Sequence, residues 1–336
     1  MANLLGLILL SFVVTSIFIV PFIDLLFYLK RKFEKIGPID KEISRLPIHN
    51  RLMKGDVNTP SGGGILLILI LTLLSLVYNI FVHFPDPSIL KILLFTLVSF
   101  GALGFIDDIR WIRLKRKGKI LGLPRQFMFI IQIILALIIG FLLYSTLGFN
   151  NLYISGLGNF VVGFWYIPIA AFVIVSFANA YNISDGLDGL STGLLAICLF
   201  ALLALASAYL NLTLAVFVGI WLGTLFSFLY FNVYPARIFL GDAGAFAFGA
   251  TLAVVGLLTG KIMALAIIGG MYVFIVASSL AQILSKRFLH KKILPVSPIH
   301  MYFKYVGWEE PKVVLRFWLA GAILAIFGLW LGLISK

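Results

Sequence analysis

The chain is built from long apolar runs separated by short polar stretches. Ten runs, near 3–29, 61–83, 89–107, 125–148, 160–179, 191–209, 211–231, 243–260, 262–285 and 314–335, are long enough to cross a bilayer as helices. The polar stretch from Asn232 to Gly244 separates the seventh from the eighth, and a tight turn around Tyr209 to Asn211 joins the sixth to the seventh. The pattern predicts an all-α polytopic membrane protein, with residues 1–336 forming a single integral membrane domain. No internal repeat and no soluble domain is visible.

Composition sharpens this picture. The chain is 62% hydrophobic and 12% charged, against about 25% charged in a typical soluble domain. The apolar stretch from Leu4 to Tyr28 is too long for a signal-peptide core and lacks a basic leader, so it reads as a retained first span. The lone cysteine, Cys198, lies in an apolar run and excludes an intrachain disulfide.

Charge then sets an orientation. The loops after odd-numbered spans hold 23 of the 26 lysines and arginines, which predicts that these loops are cytoplasmic and that both termini lie outside. The net charge of +13 is concentrated on that face, toward anionic headgroups and any nucleotide-bearing substrate.

Against this basic background, five of the 13 acidic residues stand at the ends of apolar runs. Asp107 and Asp108 in GFIDDIR end the third span, Asp185 and Asp188 lie in NAYNISDGLDGLS, and Asp242 sits in IFLGDAGAF. An acid placed deep in a membrane costs about 2.5 kcal/mol or more. Adjacent residues on a helix point about 100° apart, so Asp107 and Asp108 cannot chelate one ion as a simple pair. One can bind a metal while the other orients substrate or accepts a proton.

On a continuing helix, Asp185 and Asp188 would share one face. Gly186 and Gly189 let a flat ligand approach the backbone, and Asn179 and Asn182 offer amides to a base or sugar. Each motif alone has a plainer reading: a span terminus facing Arg110, or a helix-capping Asp242. Together they point to a metal-dependent site for a phosphorylated substrate, and oxygen-only ligands favour Mg²⁺ over zinc.

Other polar stretches complete the set. NTPSGGG, at Asn58 to Gly64, opens the second span with a run of glycines. RWIRLKRKGKILGLPRQF reads as an interfacial segment, and KRFLHKK as a short amphipathic helix on the membrane surface. Of the four histidines, His300 in SPIHMYFKYVGW is the candidate, with Lys304 near it to meet phosphate.

In order and spacing, NTPSGGG, GFIDDIR, NAYNISDGLDGLS and FNVYPARIFLGDAGAFAFG resemble the polyprenyl-phosphate N-acetylhexosamine-1-phosphate transferase superfamily across nearly the whole chain. The loop PIHMYFKYVGWEEPKVVLRFW looks like that of the phospho-N-acetylmuramoyl-pentapeptide transferases. The resemblance implies a ten-span homodimeric enzyme of the bacterial plasma (inner) membrane with its active site at the cytoplasmic face. It would move a phospho-sugar from a UDP-sugar to undecaprenyl phosphate with Mg²⁺, releasing UMP and serving peptidoglycan synthesis.

By motif position, Asp242 is then the Mg²⁺ ligand, and Asp107 and Asp108 lie at the reaction centre with the lipid phosphate. Asn182, Asp185, Gly186, Asp188, Asn232 and Phe239 line the uridine pocket, Phe239 stacking on uracil. Ser61 matches a hydroxyl position, Lys54 is the nearest candidate for a uracil-contacting lysine, and His300 faces the sugar-diphosphate.

Two departures stand out. Where the family carries three consecutive histidines, this chain reads His300, Met301, Tyr302, and the stretch from Lys54 to the TP dipeptide is longer than usual. They keep a second reading open, a UDP-N-acetylhexosamine:polyprenyl-phosphate transferase that initiates another envelope glycan. A secondary transporter is a more distant alternative, since transporters place carboxylates near the midplane and in repeated halves.

Overall fold

The computed structural model describes residues 2–34, 59–117, 125–154 and 158–334. It is an all-α membrane fold. In chain order the helices are α1 (Ala2–Glu34), α2 (Gly63–Phe81), α3 (Pro87–Lys117) and α4 (Arg125–Leu147). A small antiparallel hairpin, β1 (Asn151–Ile154) with β2 (Gly158–Val161), precedes α5 (Tyr166–Ser184). Then come α6 (Leu190–Ala208), α7 (Leu212–Asn232), α8 (Gly241–Leu258), α9 (Ile262–Ile268), α10 (Gly270–Leu284), α11 (Ile299–Tyr305) and α12 (Glu310–Ile334).

Among the described residues ten helical segments are long and apolar enough to cross a membrane; nine follow the expected runs to within a few residues, and the ninth in chain order, Gly270–Leu289, starts later than its run. Helices α7 and α8 are the most enclosed, while α1, α10 and α12 leave most of their length outward. Helix α8 packs on α3 and α5, α1 lies along α7, and α12 lies along α6. Without water to drive association, such packing depends on close contact between small residues. The sequence GDAGAFAFG at the start of α8 supplies them.

Two expectations are corrected, and two are filled in. The apolar part of the third span ends at Ile109, with Asp107 and Asp108 at its end as expected, and the helix itself runs on to Lys117. Hydropathy reports where a chain leaves lipid, not where its hydrogen bonding stops. The ninth run is two helices broken at the Gly269–Gly270 pair, where helix propensity is low, and the ring of Phe177 stands 2.4 Å from where a β-carbon on Gly269 would lie. Residues 185–189 form a turn rather than a continuing helix, with Gly189 at φ +76°. The start of KRFLHKK prolongs α10 as a π-helical turn, Ser285–Leu289, instead of making a separate surface helix.

Candidate active site

The site gathers where α3, the turn after α5 and the start of α8 meet. Asp108 reaches from α3 to the N-terminus of α8. Its two carboxylate oxygens accept the backbone N–H groups of Asp242 (3.1 Å) and Ala243 (3.0 Å). These are orphan donors that every helix start must satisfy, and here a neighbouring helix caps them. The approach requires glycine at 104, because a β-carbon there would lie 2.2 Å from the carbonyl oxygen of Asp242.

Asn182, in the last turn of α5, donates from Nδ2 to Oδ1 of Asp242 at 2.8 Å. Asp242 is half-buried, and among the described residues its other oxygen has no protein partner. Asp107 is half-buried beside it on α3.

Asp185 follows directly and accepts a short hydrogen bond from the Ser191 hydroxyl. Burial pushes its carboxyl up to about 6, opposed by the Ser191 hydrogen bond and reinforced by the charges of Asp242, Asp188 and Asp108. Asp188 is buried, and its Oδ2 accepts the backbone N–H of Ala236 at 2.8 Å.

Two loops frame this group. The NTPSGGG stretch pairs with the segment leading into α8. Phe239 donates its N–H to the carbonyl of Pro60, and its own carbonyl accepts from Gly62 and Gly63. Ser61, exposed, forms a backbone bridge with the half-buried Phe239. Asn232, only 2% exposed, accepts from the Thr192 hydroxyl and donates to the Ile238 carbonyl. Its amide thus folds the 233–238 segment back against α6.

On the other side, α11 brings His300 over the aspartate turn. A β-carbon on Gly186 would lie 2.9 Å from His300 Nε2, so glycine permits this contact. His300 is 1% exposed, and burial lowers its imidazole to about 4. Its Nδ1 has no hydrogen-bond partner among the described residues.

The structure therefore brings together Asp107, Asp108, Asn182, Asp185, Gly186, Asp188, Asp242 and His300, with Ser61, Asn232 and Phe239 on the adjoining loops. Lys54 lies outside the described residues. Sequence reasoning missed Ser191, Thr192 and Glu310. Glu310 accepts the Asp188 N–H at 2.8 Å and pairs with Lys304, so the Lys304 ammonium already has a carboxylate partner.

No group of three or more histidine, cysteine or acidic side chains forms a ready metal cage among the described residues. The cluster suits Mg²⁺ in another way. Several carboxylates lie within electrostatic reach of one another, Asp242 keeps an oxygen free, and Mg²⁺ commonly takes one or two carboxylates with substrate phosphates.

The description of glycosyl transferase family 4 matches residues 90–260, which hold every site aspartate. The phospho-N-acetylmuramoyl-pentapeptide-transferase of Staphylococcus aureus (strain bovine RF122 / ET3-1) is 37% identical over 279 residues, 82% of this chain and 85% of that protein. The protein of that name from Bacillus subtilis (strain 168) is 34% identical over 275 residues, 81% and 83% of the two chains. That from Pelagibacter ubique (strain HTCC1062) is 36% identical over 297 residues, 81% and 79%.

This chain belongs to the phospho-N-acetylmuramoyl-pentapeptide-transferase family. As a member it is a phospho-glycosyl transferase, and the ten spans among its described residues make it a multi-pass protein of the bacterial inner membrane.

Proposed function

We propose that the protein transfers phospho-N-acetylmuramoyl-pentapeptide from its UDP-linked donor to undecaprenyl phosphate, releasing UMP, at the cytoplasmic face of the membrane. The observation that carries this reading is the joining of Asp108, Asn182 and Asp242 across three helices, in a chain similar over four fifths of its length to transferases of that name.

In the reaction an oxygen of the lipid phosphate forms a bond to the β-phosphorus of the donor. The bond from that phosphorus to the bridging oxygen breaks, and UMP leaves with the electron pair. Both reactants are anionic, and the site adds several carboxylates, so a cation must offset the repulsion. Asp242 would hold Mg²⁺, which supplies charge neutralisation and stabilises the leaving phosphate.

The chain's own groups do the positioning. Asn182 fixes one oxygen of Asp242 and leaves the other toward the ligand space. Asp108 is committed to the helix start, so its role is to orient Asp242, which leaves Asp107 to engage the lipid phosphate. Asp185, with its raised carboxyl, and Gly186 present the turn to the uridine, with Phe239 on the facing loop. His300 is neutral at physiological pH and offers the sugar-diphosphate a hydrogen bond, not a charge.

The test is UMP release by purified protein with undecaprenyl phosphate and Mg²⁺. UDP-MurNAc-pentapeptide and UDP-GlcNAc would be assayed in parallel, with EDTA and Asp242→Ala as controls. Metal-dependent release from the muropeptide is expected. Release from UDP-GlcNAc alone would transfer the protein to the second reading.

A further inference from the structure

Glu310 opens α12, and only 7% of it is exposed. A buried carboxylate survives only with its oxygens satisfied. One oxygen of Glu310 accepts the backbone N–H of Asp188, and the other pairs with Lys304. Lys304 stands four residues beyond His300 on α11, so the two side chains lie on one helix face. The ion pair therefore fixes the rotation of α11 that holds His300 against Gly186. On the far side, the carboxylate of Asp188 carries the linkage to Ala236, in the loop that precedes Phe239.

We infer that Glu310 is a positioning residue, which sets the spacing between α11, the 185–189 turn and the 233–240 loop and thereby shapes the donor side of the site. The inference rests on the transferase reading above. Both oxygens of Glu310 are occupied by protein groups, so it acts through Asp188 and His300 and not on substrate. A surrounding aromatic frame of Phe303, Trp308 and Phe317, with Arg316 over the Trp308 ring at 4.3 Å, packs α11 against α12. That frame supplies bulk stability, whereas Glu310 supplies register.

Three variants of the full chain in detergent separate these roles: Glu310→Leu, Lys304→Leu, and the pair Glu310→Gln with Lys304→Gln. The double variant exchanges the ion pair for an amide–amide hydrogen bond and keeps an acceptor for Asp188. Donor KM, kcat and thermal midpoint would be measured, together with amide hydrogen exchange at Asp188.

Losing the buried acceptor in Glu310→Leu should raise donor KM and speed Asp188 exchange, each by about tenfold or more. Lys304→Leu, which strands the carboxylate, should raise donor KM comparably. The double variant should return both quantities to within about threefold of wild type. The inference is overturned if Glu310→Leu lowers only the midpoint or kcat while donor KM and Asp188 exchange stay at wild-type values. It is equally overturned if the double variant does no better than Glu310→Leu. Should the wild-type protein release no UMP from the muropeptide, the transferase reading fails, and Asp188 exchange still decides the role of Glu310.

Discussion

Asp108 caps the helix that Asp242 begins. The carboxylate of one accepts the backbone N–H of the other, so two acids of one site do different work. Asp108 spends its oxygens on helix α8, and Asp242 keeps one without a protein partner among the described residues.

Replacing Asp108 with alanine should therefore cost both stability and rate. The lost cap corresponds to about 0.5–2 kcal/mol, seen as a lower thermal midpoint in detergent, with turnover reduced as Asp242 loses its anchor. Asp108→Asn, which retains one acceptor, should fall between alanine and wild type. Asp242→Asn should abolish UMP release with little change in midpoint, a contrast that would separate cap from ligand.

Gly104→Ala tests the helix contact behind this pair. Its β-carbon would meet the backbone of Asp242, which cannot move aside as a side chain can. We expect a loss of about 1–3 kcal/mol and a marked fall in kcat. Gly101→Ala one turn earlier meets only the flexible end of Ile68 and should be milder. Equal effects at the two positions would contradict this account.

His300 makes stability depend on pH. Its folded value of about 4 lies below the ordinary value of 6.5, so the unfolded chain binds the proton first as pH falls. Stability from burying the neutral ring is full above about pH 6.5 and declines by about 1.4 kcal/mol per unit until about pH 4. Melting curves of wild type and His300→Gln between those limits should converge at low pH and diverge as pH rises. Parallel curves would show that the ring is not buried as described.

Asn232→Ala should strand the Ile238 carbonyl and leave the Thr192 hydroxyl only its longer bond to the Gly189 carbonyl. Burying the carbonyl without a partner costs about 1–3 kcal/mol, and releasing the 233–238 segment should raise donor KM. Hydrogen exchange in that segment would report the loosening directly.

The spans and the order of motifs were legible because apolar runs and clustered acids are local features of sequence. Even so, the third span's helix passes its own hydropathy boundary, since charged residues such as Arg113 to Lys117 continue a helix as readily in water. The break at Gly269 was hidden because the glycine pair lies inside a continuous apolar run, which hydropathy reads as one span. Asp185 and Asp188 could be nominated, but the turn that holds them depends on Gly186 between them and Gly189 after them. Glu310 was beyond reach, because its partner is a backbone N–H 122 residues away and leaves no signature in residue type.

The joining of Asp108, Asn182 and Asp242 also carries information about biogenesis. Asp108 and Asn182 lie toward the ends of the third and fifth spans, and Asp242 lies at the start of the eighth. Ends of odd spans and starts of even ones share a side when every intervening segment crosses once, and a single failure to cross separates them. A span skipped or inverted during insertion would leave these side chains on opposite leaflets, tens of ångströms apart. Turnover by this enzyme is thus also an assay of its topology: a chain with a single span skipped between the third and the eighth has no site to regain by local repair.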